Sequence, residues 1–415
     1  MLQESQLPDP LLLTCSLQQE QIRSAADNIL AKGLDIHQLS KEELVWAEQK
    51  SLHPFSAHLA IKLARSRQVL LNLSSNLHIS VVFAIYKEHQ RILRQDEHPH
   101  GEDFLSQKVK QMSWLCKGLN NISWDMTLVD DGCPNGSGLL AKDILLKNSL
   151  QKHVKVLFLK EAIDNKHPIT KPMVNTDDSR KGGAVALGMW ESLNTEYKQN
   201  NSHTNHVIIY TDADLSTDLG QCGLLVSGIT DHGMDAAIGS RREASSIVIK
   251  GGERNDRGKL FIYIWKRLLP SLANIIDSQC GFKAFKADVA KKILSNLTEK
   301  RFAFDIELLL KTELNRSKST TNIPIAWFDS EAASTTTDLQ PYLPMLKSIA
   351  GFYRTYLPKN LEADGFADFI DNLNENNWKK LLQNIPNEIT KREPDEFIKY
   401  NGVTANELAK ISGIT

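Results

Sequence analysis

An α/β fold is predicted, with a mostly parallel sheet covered by helices on both faces and helical extensions at both ends. Three features of the sequence point to it. Short β-branched runs recur at Ile79–Tyr86, Met126–Val129, Val154–Leu159, Val207–Thr211, Ala236–Ile238 and Ile323–Trp327. Helical stretches separate them, as at Ala184–Tyr197, where Ala186, Met189, Trp190, Leu193 and Tyr197 share a face. Such alternation implies parallel pairing and a sheet buried on both sides. The flanks instead carry helical spacing, which divides the chain into a helical extension at 1–77, a sheet domain at 78–338 and a second helical extension at 339–415.

Within the first flank, Ser40 and Glu43 fit a capping box, and Leu59, Leu63 and Leu70 continue a helical spacing. In the last flank Trp378, Leu381, Leu382 and Ile385 repeat at helical spacing, and Thr404 with Glu407 fits another capping box.

The 415 residues carry 49 Lys plus Arg against 50 Asp plus Glu, a balance that argues against gripping nucleic acid along the whole surface. The five cysteines are scattered, with no Cys-x-x-Cys pair to suggest a disulfide framework or a zinc knuckle. No window reaches the roughly 18 uninterrupted apolar residues of a membrane span. The longest, Leu260–Ile276, is broken by Lys266, Arg267 and Pro270. The N-terminus has no basic n-region of a signal peptide. The expectation is a cytoplasmic, soluble chain with no transmembrane segment, compatible with peripheral membrane contact.

In open parallel sheets ligands bind beyond the carboxyl ends of the strands, so residues following each apolar run matter most. Asp212-Ala213-Asp214 follows Val207–Thr211 and offers two hard oxygen donors suited to Mg2+ or Mn2+ with a diphosphate. Asp130-Asp131-Gly132 follows Met126–Val129, and carboxylates there suit ribose hydroxyls or a base N–H; the alternative is a polar turn. Gly136-Ser137-Gly138-Leu139-Leu140-Ala141 fits a dinucleotide fingerprint, with Glu161 as a ribose partner, but Asp130–Asn135 separate it from its strand. Arg180-Lys181-Gly182-Gly183 puts cations at a helix start, where they suggest an anionic ligand. Residues 239–259 form a basic stretch holding Arg241, Arg242, Lys250, Arg254, Arg257 and Lys259, hinged at Gly251-Gly252 and suited to a phosphate clamp or lid. Asp277-Ser-Gln-Cys-Gly-Phe-Lys283 precedes a helix, and Phe304-Asp305-Ile306-Glu307-Leu308 begins one; their acids are either a general base or first-turn caps. No serine-hydrolase elbow, zincin or P-loop motif is present.

Taken in order, these pieces resemble the inverting family-2 glycosyltransferases of GT-A fold, most of all the dolichyl-phosphate or polyprenyl-phosphate glucosyltransferase branch. The resemblance runs through ISVVFAIYKE, LVDDGCPNGS, RKGGAVALGM, YTDADLS, IGSRR, Arg254-Asn255, DSQCGFKAF, FDIELL and IPIAWFDSEAAS, over about 79–335. The chain departs from it at Ala84, Lys87, Cys133, Asn135, Asp178 and Arg180. What the resemblance implies is metal-dependent transfer of a sugar, glucose or a related hexose, from a UDP- or GDP-linked donor. Tyr86, Glu88, Asp130, Asp131, Lys181, Asp212 and Ala213 would bind that donor. Asp212 and Asp214 would hold Mg2+ or Mn2+. Arg241, Arg254 and Lys283 would face an acceptor phosphate or the leaving diphosphate, and Asp305, with Lys181, would be catalytic. The acceptor is unnamed, a phosphate-bearing lipid or small molecule. A nucleotidyltransferase and a non-catalytic nucleotide-sugar-binding scaffold are the alternative readings.

Overall fold

The structure, a computed structural model, describes residues 7–194, 205–249, 255–329 and 341–414. Helices α1 (Ser16–Leu30), α2 (Ile36–Glu48) and α3 (Phe55–Asn72) precede the first strand, β1 (Leu77–Ile85). There follow α4 (Phe104–Cys116), β2 (Ile122–Asp130), α5 (Ser137–Lys147), β3 (Val154–Phe158), α6 (Leu159–Asp164), α7 (Gly182–Ser192) and β4 (Asn205–Thr211). The second half of the sheet domain contains α8 (Cys222–Thr230), β5 (Ala236–Ser240), β6 (Ile247–Ile249), α9 (Asn255–Leu268), β7 (Phe282–Lys286), α10 (Ala287–Leu294), α11 (Phe304–Asn315), β8 (Thr320–Pro324) and β9 (Ala326–Phe328). Helices α12 (Tyr342–Tyr356), α13 (Leu361–Asn372), α14 (Glu375–Gln383), α15 (Asn387–Thr390) and α16 (Ala405–Ser412) end the chain.

Seven strands form the main sheet in the order β3-β2-β1-β4-β7-β5-β8, and β6 pairs with β9 in a separate ribbon. All neighbours in the main sheet are parallel except β7, which runs antiparallel to both β4 and β5. The Asp277–Lys283 motif therefore runs into an additional strand before the predicted helix. Its Phe-Lys-Ala-Phe-Lys alternation hides the strand, because Lys283 is fully buried despite its charge. The Ile323–Trp327 run is two strands, with β8 in the main sheet and β9 in the ribbon.

Apolar side chains cover both faces. Helices α4 and α8 pack on one face through Met112, Leu224 and Leu225. Helices α7, α9, α10 and α11 cover the other, where they merge with α12–α16 through Tyr263, Leu346, Phe366 and Leu408. Most of the Leu260–Ile276 segment, the longest apolar candidate in the sequence, is spent in this junction rather than at a surface. The Tyr263 hydroxyl donates to the Val403 carbonyl at 2.7 Å, and Lys259 donates to the Thr390 carbonyl and the Glu393 carboxylate, each at 2.9 Å. Among the described residues no helix is long and apolar enough to cross a membrane.

The Thr404–Glu407 capping box forms at α16, but the Ser40–Glu43 box does not. Asp35 caps α2 instead, accepting from Gln38 N–H at 2.8 Å, and the Ser40 hydroxyl turns back to the Ile36 carbonyl. Glu43 lies inside, 2.5 Å from both Lys62 and Arg65 of α3. Lys62 also donates to the Pro324 carbonyl at 3.1 Å, tying the N-terminal helices to the end of β8. Burial alone would push the Glu43 carboxyl up, but the two cations outweigh it and hold it below its ordinary value. Removing one partner of such a buried pair strands the other. Glu43→Ala should lose about 3–5 kcal/mol in urea unfolding, and the apolar double variant Glu43→Leu/Lys62→Met should lose less.

Candidate active site

Because β1 lies between β2 and β4, the carboxyl ends of the three strands open on one cleft. Residues 86–91 enter it after β1, Asp130-Asp131 after β2 and Asp212–Asp214 after β4. The N-terminus of α7 closes the cleft from the side. Its N-cap, Lys181, holds a positive φ of 76°. The Lys181 N–H donates to Asp131 Oδ2 at 2.8 Å, while its ammonium makes a short ion pair with Asp212 Oδ1. The anion predicted at this helix start is thus, in part, the chain's own carboxylate. Lys181 joins the carboxylate after β2 to the one after β4.

Electrostatics follow from that bridge. Burial pushes Asp212 up, but the Lys181 ammonium, with Lys108 and Lys283 beyond, brings it below its ordinary range. Gly281 presses against the Asp212 carboxylate, leaving no room for a Cβ. Asp131 goes the other way. Burial raises its carboxyl to about 6, with Asp130 adding to the rise and the Lys181 N–H opposing it.

Several predicted residues do other work. Asp130 accepts from Gly132 N–H (3.0 Å), Cys133 N–H (2.8 Å) and Gly138 N–H (2.7 Å), so both its oxygens build the loop. The same contacts explain the false dinucleotide fingerprint: a carboxylate already occupies the first turn of α5, where a pyrophosphate would sit. Glu88 gives both oxygens to a fork on Arg91, each bond 2.6 Å. Ala213 turns into the core. Lys283 is fully buried beneath the cleft, donating to the Cys280 carbonyl (2.6 Å) and lying 3.4 Å from Asp305 Oδ2. An acceptor cannot reach it; it supports Asp305. Arg254 lies outside the described residues, as do Lys250, Gly251-Gly252, Tyr197 and the end of the last motif.

Others stand in the cleft or at its edge. Tyr86 is half-exposed just after β1, with the Lys87 ammonium 5.5 Å over its ring. Two departures from the family pattern meet here, as Lys87 N–H donates to Cys133 Sγ at 3.2 Å. Asp214 Oδ1 accepts from the Ser216 hydroxyl (2.5 Å) and N–H (3.1 Å). Its Oδ2 lies 3.7 Å from Arg91, too far for a hydrogen bond, and keeps its lone pairs. Arg241 is fixed by a fork on Asp277, both bonds 2.8 Å, and stacks 5.1 Å from the Trp327 ring. Asp305 opens α11, with burial raising its carboxyl against the pull of Lys283 and Lys181, and its Oδ1 has no hydrogen-bond partner. Glu307 is instead consumed internally by Thr298, Glu299 and Tyr356.

Sequence reasoning missed Arg91, Lys108 and Trp327. Lys108 is fully buried in α4, its ammonium pushed down by burial and pulled back by Asp214, Asp212 and Asp218. The only signal was a lysine on an apolar face with Phe104, Leu105 and Met112. Among the described residues no group of three or more His, Cys, Asp or Glu side chains converges on a metal. The donor set nonetheless fits Mg2+ or Mn2+, which take one or two carboxylates and complete their shell with water and phosphate. Asp214 Oδ2 is a free hard donor, and Asp212 stands partly exposed beside it.

The mostly parallel sheet thus carries these acids at its β1, β2 and β4 ends. The chain is similar in sequence to dolichyl-phosphate β-glucosyltransferases and to a polyprenol monophosphomannose synthase. It is 27% identical over 271 residues to dolichyl-phosphate β-glucosyltransferase of Drosophila melanogaster, covering 63% of this chain and 71% of that protein. It is 28% identical over 216 residues to polyprenol monophosphomannose synthase of Mycolicibacterium smegmatis, covering 49% of this chain and 66% of that protein. Glucosyl-3-phosphoglycerate synthase of Mycobacterium tuberculosis, solved with Mn2+, UDP-glucose and phosphoglyceric acid, aligns over 72% of this chain and 85% of its own, at 13% identity and a TM-score of 0.45. No family model matches the chain.

An unfolded aspartate titrates near about pH 3.9, whereas folded Asp131 titrates near about 6. In the window between, the folded state holds the extra proton, so this group's contribution to stability falls as pH rises through it. Carboxyl 13C NMR should place the Asp131 midpoint near about 6, and Asp131→Asn should flatten the stability slope across that window.

Proposed function

We propose that the cleft transfers a hexose, glucose or a close relative, from a UDP- or GDP-linked donor to a phosphate-bearing acceptor with inversion. The observation that carries this is the Lys181 bridge, which ties Asp131 to Asp212 and puts one cation where a donor diphosphate would cross between them. The names of the relatives, which pair a sugar with a polyprenyl or dolichyl phosphate, support the choice of acceptor class.

In this reading Asp131 accepts from the donor's base or ribose, and Tyr86 lies against the nucleoside. Asp214, with Asp212, would hold Mg2+ or Mn2+, which supplies charge neutralisation at the leaving diphosphate. Lys181 moves its ammonium between Asp212 and the diphosphate oxygens. An acceptor phosphate oxygen attacks the anomeric carbon on the side opposite the diphosphate; the new C–O bond forms as the old one breaks, and the electron pair leaves with the nucleoside diphosphate. Arg241, held rigid by Asp277, meets the acceptor phosphate with the edge of its guanidinium that Asp277 leaves free. A phosphate acceptor is already an anion, so Asp305 has no proton to remove from it. We propose a cytoplasmic location on the sequence expectation.

A screen of UDP- and GDP-hexoses with Mn2+, reading free nucleoside diphosphate, should find one donor turned over. Asp214→Ala should cut that turnover by more than about 100-fold. Release from no donor would contradict the reading. Asp305→Asn should cost less than about tenfold in kcat, whereas a hydroxyl acceptor that needs a base would lose about 10²–10⁴.

A further inference from the structure

Arg91 sits one helical turn beyond Glu88, with the Ile92 N–H donating to the Glu88 carbonyl at 2.9 Å. Its side chain is buried, and three carboxylates from three separate segments surround it. Glu88 takes Nε and one terminal nitrogen, both at 2.6 Å. Glu102, just before α4, lies 4.0 Å from the other terminal nitrogen, and its own N–H donates to the Arg91 carbonyl at 2.9 Å. Asp214 Oδ2 lies 3.7 Å from that same nitrogen.

The unequal distances matter more than the count. Two parallel bonds at 2.6 Å are a planar fork, the strongest geometry a guanidinium makes with a carboxylate. A separation of 3.7 Å is electrostatic attraction without a hydrogen bond. Arg91 is therefore pulled back by Glu88 and holds Asp214 at a distance. Ser216 pins the other Asp214 oxygen through its hydroxyl and N–H. The carboxylate is oriented from both sides, yet Oδ2 keeps its lone pairs. Were Glu88 neutral, the guanidinium would be free to advance and close a direct bond to Asp214.

We propose that Arg91, held by its fork on Glu88, is a positioning residue of the Asp212–Asp214 turn. It aims Asp214 Oδ2 at a divalent cation without occupying it. Glu88 thus serves the cation site through Arg91 and does not touch the nucleoside. The inference rests on the reading of Asp214 as a metal ligand and adds the device that keeps that ligand open. Supporting side chains behind metal ligands are worth about 10–100-fold in metal affinity.

The test uses the full chain, with Mn2+ binding read by electron paramagnetic resonance and UDP and GDP binding read by calorimetry in EDTA. In Glu88→Gln the dissociation constant for Mn2+ should rise by about 10–100-fold, nucleotide binding in EDTA should stay within about twofold, and saturating Mn2+ should restore turnover. Arg91→Lys keeps the charge but loses the fork, and should weaken Mn2+ in the same way; it carries the test if the glutamine variant does not fold. Unchanged Mn2+ affinity in the folded variants would overturn the inference alone. Loss of nucleotide binding in EDTA would also overturn it, by returning Glu88 to the nucleoside. If the wild-type chain bound no Mn2+, even with a nucleoside diphosphate, the metal reading would fall and this inference with it.

Discussion

Parallel pairing of β1 with β2 on one side and β4 on the other brings three strand ends to a single rim. Strand ends leave turns, turns tolerate acids, and three neighbouring turns gather Glu88, Asp130, Asp131, Asp212 and Asp214 into a small volume. Like charges so close need cations, and the chain supplies them from elements that cross the rim: Arg91 from the turn after β1, Lys181 from the N-terminus of α7, Lys108 from beneath in α4. Each of these charges is where it is because the sheet order put the acids together first.

The same constraint explains why a chain with nearly equal numbers of acids and bases is not bland. Several of its ion pairs lie at the cleft, where they hold side chains in place. Buried pairs contribute little net stability relative to apolar packing, but removing one member is costly, which makes them suited to fixing orientation. Arg241 on Asp277 and Arg91 on Glu88 are both forks behind a residue or edge that faces the cleft. The helical extensions belong to this scheme. The N-terminal helices reach the Pro324 carbonyl through Lys62, next to β9, whose Trp327 stacks on Arg241. The C-terminal helices bury the apolar face of α9, and the Tyr356 hydroxyl donates to Glu307 at 2.9 Å, which ties α12 to α11, the helix that carries Asp305 in its first turn.

Much of the sheet was legible because a doubly covered parallel strand reads as an apolar run rich in β-branched residues, and β1 and β4 are such runs. Strand β7 was not, since its buried Lys283 is stabilised by Cys280 and Asp305, partners that only the fold brings together. The order of acids after strands located the cleft, but not which oxygen was free. Asp130 and Asp131 are adjacent in sequence, yet one is spent on three backbone N–H groups and the other faces Lys181. Glu43 is the reverse case: a residue at the right spacing for a cap that a buried lysine claims instead. Local spacing reports what a side chain can do; long-range contacts decide which of those things it does.

The account stands on Asp214 presenting a free oxygen to a cation that also meets the donor diphosphate. Anomalous scattering from Mn2+ in crystals grown with the nucleoside diphosphate that the donor screen selects tests this directly. The account predicts a peak about 2.1 Å from Asp214 Oδ2 that also touches the diphosphate, with Arg91 still forked on Glu88. A Mn2+ peak bound away from both Asp212 and Asp214, or a diphosphate bound outside the β1, β2 and β4 rim, would contradict it.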